Sequence, residues 1–195
     1  MKIVNKATKT AHTPLKVGLA GGIGSGKSYV ARLLAQRGID VYDCDNAAKR
    51  IMRSEQIQRQ LEQLIGCKPT KQALTRFLLA SDDHAQAINA IVHPAVFADF
   101  EQSGLLWMES GIMYESGANH YVDSVVLVTA PDDVRIQRIM KRDDISHEQA
   151  LQWINRQWPQ DRVRQLADYE IINDGTTDIN KQLNIILEAL CKKPF

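Results

Sequence analysis

The chain has 195 residues with 24 Lys and Arg against 23 Asp and Glu, a formal net charge of +1; 44% are hydrophobic and 24% charged. These values belong to an ordinary globular protein and exclude a disordered polyelectrolyte or any whole-molecule attraction to nucleic acid or a membrane surface. No run reaches the roughly 18 apolar residues of a membrane helix, and the three cysteines, Cys44, Cys67 and Cys191, are too few and scattered for a disulfide framework or a zinc site, so a reducing, cytoplasmic setting is expected.

Residues 1–14 carry Lys2, Lys6 and Lys9 but no apolar signal core, and read as a polar extension of one domain spanning 15–195. Leu15 to Ala20 is a short β-compatible run that ends in glycines. Val30, Leu33, Leu34 and Arg37 then recur with helical spacing, and Gly38 suits the residue just past a helix end. Ile39 to Asp43 is a second short strand, which completes a βαβ unit. Residues 46–103 read as mostly helical, with no clear strand among them. Ile57, Leu61, Leu64 and Ile65 form one face, Gly66 and Pro69 break it, and the pattern through Ile88, Ile91 and Val92 is expected to kink or restart at Pro94. This block is expected to be a lobe inserted in an α/β core made of residues 15–45, 104–140 and 165–195.

Leu105 to Met108 and Val125 to Thr129 are the next strands, the second continuous enough to be buried on both faces of a parallel sheet. Pro131-Asp132 opens a helix, Ser146 to Gln149 reads as a capping box, and Tyr169 to Ile172 is a fifth strand closed by Asn173-Asp174-Gly175. Ile179 to Leu190 is a final amphipathic helix. Five strands alternating with helices predict an α/β fold, a five-stranded parallel sheet between two helical layers.

Gly21-Gly22-Ile23-Gly24-Ser25-Gly26-Lys27-Ser28 matches G-x-x-x-x-G-K-[ST] without gaps, between a strand and a helix. That is the phosphate-binding loop of a P-loop NTPase. Its glycines let backbone amides turn toward phosphate oxygens, Lys27 supplies a cation for the β- and γ-phosphates, and Ser28 offers a hydroxyl to Mg²⁺. A dinucleotide fingerprint fails on spacing, because Lys27 stands where Gly22-Ile23-Gly24 would need its third glycine.

The second strand ends in Asp43-Cys44-Asp45, and its carboxyl end is expected beside the loop. A carboxylate there either orients Mg²⁺ water or accepts a proton from an attacking hydroxyl; either Asp equally suits the cap of the following helix. Arg135, Arg138 and Arg142 share a helix face. They read either as a solvated face or as a lid over about residues 141–160, with Arg142 near its tip stabilising the transferring phosphoryl group.

Taken in order, these segments resemble the dephospho-coenzyme A kinase family. Gly18 to Ser28 is similar to that family's opening signature, and Asp43-Cys44-Asp45 with Ala47-Ala48 to its D-x-D-x-x-A segment. Ile88 to Pro94 resembles its helix ending in His-Pro, Arg138 to Asp144 its lid entry, and Gln157, Ala167-Asp168 and Asn173 to Gly175 its C-terminal pattern. The resemblance implies ATP- and Mg²⁺-dependent phosphorylation of the ribose 3′-hydroxyl of dephospho-CoA, the last step of coenzyme A synthesis, by a core, a helical acceptor lobe and a lid. It implies that Asp45, Lys27 and Arg142 are catalytic. Gly22, Ile23, Gly24, Ser25, Gly26, Lys27, Ser28, Tyr29, Asn173 and Gly175 would bind ATP, and Asp45, Lys71 and His93 the acceptor. Departures are Tyr29 in place of a threonine, Lys71 in place of an arginine, and a shortened stretch between Arg53 and Lys71. His93 also reads, and somewhat better, as a hydrogen-bonded histidine capping a helix before Pro94. The rivals are another nucleoside or nucleotide kinase, and a non-catalytic nucleotide-binding module. The D-x-x-G and N/T-K-x-D signatures of a GTPase switch do not occur.

Overall fold

The computed structural model describes residues 14–192, so the polar extension expected over 1–14 lies outside the described residues except for Pro14. The strands are β1 (Val17–Ala20), β2 (Val41–Asp43), β3 (Trp107–Ser110), β4 (Ser124–Thr129) and β5 (Tyr169–Ile172). They form one sheet in the order β2-β3-β1-β4-β5, with all neighbours parallel. Parallel neighbours need long crossovers, and helices supply them here, covering both faces.

Every residue of β4 is buried, and its alternation divides the core in two. Val125 and Leu127 pack with Met108 and with Ile88, Val92 and Phe100 of the helical segment between β2 and β3. Val126 and Val128 point the other way, onto Val30 and Leu34 of α1 (Lys27–Ala35) and Leu183 and Ile186 of α9 (Ile179–Cys191). Gly38 follows α1, its N–H bonding the Ala35 carbonyl at 3.0 Å.

Between β2 and β3 lie α2 (Cys44–Ile51), α3 (Glu55–Ile65), α4 (Lys71–Ala80) and α5 (Asp82–Ser103). Pro94 lies inside α5 and does not restart it. An interior proline costs about 3 kcal/mol, but α5 buries Ile88, Val92, Val96, Phe97 and Phe100, each worth roughly 1.5–3 kcal/mol. Packing therefore carries the helix through.

After β4 come α6 (Asp132–Asp143), α7 (His147–Asn155) and α8 (Gln160–Arg164). Asp144, at φ 52, turns the chain between α6 and α7, and Ser146 and Gln149 make the expected reciprocal capping box. The α6–α7 hairpin has a small core of its own, built from Ile136, Ile139, Ala150 and Ile154. Among the described residues no helix is long and apolar enough to cross a membrane.

Two corrections bear on the site. β3 starts at Trp107 rather than Leu105 and runs on to Ser110, so Glu109 belongs to the strand. β2 is not the neighbour of β1, because β3 lies between them. The strand edge closest to the glycine loop therefore presents Glu109, with Asp43 one strand further out in register with it.

Candidate active site

The loop after β1 is fixed from outside. Arg138 donates to the carbonyls of Gly24 (3.3 Å) and Ser25 (3.4 Å), and Asn173 Nδ2 donates to Ser25 O at 2.8 Å. Arg135 Nε donates to Ile23 O at 3.0 Å. Gly26 has φ +96, and a Cβ there would overlap the Asn173 carboxamide, so only glycine fits. Helix α1 starts directly after it, with no acidic side chain in its first turn. The amides of Lys27 and Ser28 precede the point where intrahelical partners exist, and the helix dipole adds positive potential at the same place. That combination binds phosphate.

These groups open on a cleft of about 670 Å³ that is also lined by Tyr29, Asp45, Glu109, Arg138, Arg142 and Asn173. Burial lowers the pKa of the Lys27 ammonium, and Glu109 and Asp45 oppose that shift. Burial raises the Glu109 carboxyl, Asp43 adds to the shift, and Lys27 opposes it. Glu109 Oε2 is buried without a hydrogen-bond partner. The Cys44 thiol is pushed up to about 12 by burial and then by its acidic neighbours Asp45, Asp43 and Glu109, so it is not a reactive thiolate.

The two aspartates separate cleanly. Asp43 is the N-cap of α2; it accepts from Asn46 N at 2.8 Å and Asn46 Nδ2 at 2.6 Å. Asp45, in the first turn of α2, lines the same cleft as the loop. Arg135 and Arg138 are not a solvated face. Arg135 is 3% exposed, and Arg138 also bonds Asn173 O and Oδ1, each at 3.1 Å. Arg142 remains exposed, paired with its neighbour Asp143 at 2.6 Å while lining the cleft.

Not every residue expected at the site meets there. Ser25 is fully buried, with its hydroxyl unpartnered, and lies outside the cleft lining; its carbonyl accepts from Arg138 and Asn173. Gly175 (φ +90) lies outside the cleft lining. His93 lines a separate groove of about 860 Å³ with Asn89, Phe97, Glu115, His120 and Tyr121; burial lowers its pKa. Lys71 begins α4, exposed, and lines neither cavity. Sequence reasoning assigned nothing to Glu109 or to Arg32, which lines the cleft and sits 5.7 Å from the Tyr29 ring centroid. An acidic residue directly after an apolar run was the available signal for Glu109.

The hydroxyl of Ser28 and the carboxylates of Asp45 and Glu109 are hard oxygen donors around one cleft, and an orphaned carboxylate oxygen is among them. That donor set fits Mg²⁺, which favours one or two carboxylates plus phosphate oxygens and water. A cradle for phosphates, an ammonium, a guanidinium and a carboxylate around one space are the parts that phosphoryl transfer needs.

The profile of the dephospho-CoA kinase family matches residues 15–178. A dephospho-CoA kinase of Bacteroides fragilis is 35% identical over 193 residues, covering 92% of this chain and 94% of its own. A protein of Thermus thermophilus known by its crystal structure superposes with a TM-score of 0.81 at 28% identity, covering 92% of this chain and 99% of its own. The solved dephospho-CoA kinase of Campylobacter jejuni shares the fold at a TM-score of 0.62 and 18% identity, over 90% of this chain and 97% of its own. The matched span includes the loop, Asp45, Glu109 and the arginines of α6, and the chain belongs to the dephospho-CoA kinase family.

Proposed function

We propose that this kinase transfers the γ-phosphoryl group of ATP to the ribose 3′-hydroxyl of dephospho-CoA, yielding coenzyme A and ADP. The observation that carries the reading is the shared cleft: Asp45 faces the same space as Lys27 and the uncompensated start of α1. Asp45 accepts the proton of the 3′-hydroxyl as the new O–P bond forms and the bond to the β-phosphate oxygen breaks. Lys27 and the loop amides hold the phosphates, and Arg142, released from Asp143, neutralises charge on the group in transit. Ser28 and Glu109 would hold Mg²⁺, which when bound neutralises phosphate charge. Helices α2–α5 form the acceptor lobe in this reading, and the α6–α7 hairpin the lid. The His93 groove suits part of a long acceptor, with aromatic walls at Phe97 and Tyr121. The reaction is assigned to the cytoplasm, where Cys44, Cys67 and Cys191, all unpaired, stay reduced.

A coupled ADP-release assay with ATP tests this directly, using dephospho-CoA against adenosine, AMP and pantetheine phosphate. Turnover with dephospho-CoA alone is expected. Preference for AMP or adenosine would transfer the site to a nucleoside or nucleotide kinase.

A further inference from the structure

Ile23 joins the nucleotide cradle to the α6–α7 hairpin. Its N–H donates to Gln157 Oε1 at 2.7 Å, and its carbonyl accepts from Arg135 Nε at 3.0 Å. Its side chain packs into the hairpin's own core, beside Ile136, Ile139, Ala150 and Ile154. Every group of this loop residue is thus held by α6, by α7 or by the segment leaving α7. Gly22 makes the approach possible, since a Cβ there would stand 2.5 Å from Arg135 Nη2 and 3.1 Å from Gln157 Oε1. Arg135 is itself set by Asp132 at 2.8 Å. Gln157 makes a second bond, from Nε2 to Gly111 O at 3.0 Å, just past β3. A Cβ on Gly111 would lie 3.7 Å from the Lys27 ammonium, so this bond is made beside the catalytic cation.

We propose that Gln157 is a positioning residue for phosphoryl transfer, locking the P-loop, the end of β3 and the hairpin that carries Arg142 into one body. The proposal rests on reading the cleft as a phosphoryl-transfer site. A carboxamide suits the place because it offers an acceptor to an amide and a donor to a carbonyl at once. Gln157 acts through Ile23 and Gly111. When it is lost, Arg135 and Arg138 still hold the loop to α6, but the tie from the loop and the end of β3 to the segment leaving α7 is gone, and Arg142 and Lys27 lose that part of their common frame. The coupling runs through contiguous bonds and packed side chains, the physical kind of connection such a claim needs.

The test compares Gln157→Met, similar in length but without either bond, with Gln160→Met. Gln160 brackets Ala130 in the same manner, at 3.1 and 2.9 Å, and does not bond the loop. Hydrogen exchange is followed with and without a non-hydrolysable ATP analogue. In the wild type and in Gln160→Met the analogue slows exchange in residues 21–28 and in both helices of the hairpin; in Gln157→Met the slowing persists in the loop and in α6, which Arg135 and Arg138 still hold to it, and is lost in α7. In Gln157→Met, kcat falls about ten- to a hundredfold while KM for ATP moves less than about threefold. Protection of α7 unchanged in Gln157→Met, or a raised KM for ATP with kcat intact, overturns the proposal. Equal uncoupling in Gln160→Met overturns it as well. Gln157→Glu keeps the acceptor for Ile23 and drops the donor to Gly111, so α7 protection persists; its loss there also overturns the proposal, and this variant decides the matter if Gln157→Met does not fold. The analogue needs no acceptor, so a failure of dephospho-CoA turnover leaves this measurement intact and distinguishable.

Discussion

Replacing Asp43 and Asp45 one at a time separates two carboxylates that stand two positions apart. Asp43 caps α2 through two bonds from Asn46, both at an exposed helix end. Asp43→Ala therefore costs about 1 kcal/mol of stability, or roughly 2–4 °C in melting temperature for a domain of this size. Part of that loss is returned, because Asp43 also raises the pKa of Glu109, its register partner on β3. Turnover of Asp43→Ala is expected to stay within about threefold of wild type, since capping carries no proton transfer. Asp45→Asn inverts the pattern: its melting temperature stays within about 2 °C, while kcat falls about 10²–10⁴-fold, the usual worth of a positioned base. KM for ATP changes little, because the loop and Lys27 are untouched. Coupled ADP release and thermal melts on the same preparations read both. If Asp43→Ala proves as slow as Asp45→Asn, or if Asp45→Asn turns over normally, the division of labour is wrong.

Three further substitutions probe separate parts of the account. Lys27→Ala removes the cation that holds the β- and γ-phosphates and is expected to cut kcat/KM at least about 10²-fold; near wild-type rates in steady-state assays would remove Lys27 from the chemistry. Ser25→Ala deletes a buried hydroxyl with no partner, so it is expected to melt no lower than wild type and to gain up to about 1 kcal/mol; a lower melting temperature would show that the hydroxyl has a structural use. His93 is held neutral by burial, its pKa below the usual histidine value. The unfolded chain then binds the extra proton first, so His93 contributes stability that is present above about pH 6.5 and lost as pH falls through its folded value. Melts between pH 7.5 and 5 should show a shallower acid decline for His93→Asn than for wild type, and identical slopes would refute the assignment.

What the sequence revealed and what it hid have distinct physical causes. The loop, its strand and its helix are local: glycine spacing, Lys27 and Ser28 are consecutive, and the structure places them as expected. The capping box at Ser146 is local too. Strand β3 lies two residues later than hydrophobicity predicts, because that signal ends where the strand delivers a charged group, Glu109, to the cleft. The arginines of α6 show the opposite difficulty. Runs of Arg and Lys usually face water, but Arg135 and Arg138 bond the carbonyls of Ile23, Gly24 and Ser25, more than a hundred positions earlier. Such long-range pairings leave no periodic trace. Asp43 and Asp45 could not be ranked from spacing, since both suit the start of a helix. Only the order of strands, with β3 between β1 and β2, shows that Asp45 reaches the cleft from α2 rather than from a neighbouring strand edge.

The most direct measurement of the central claim is the position of the phosphate on the product. Incubation of the protein with ATP, Mg²⁺ and dephospho-CoA, followed by phosphorus-proton correlation spectroscopy, is predicted to show one new phosphomonoester coupled to the ribose H3′. A phosphate on any other oxygen, or ATP hydrolysed with dephospho-CoA unchanged, would contradict the account.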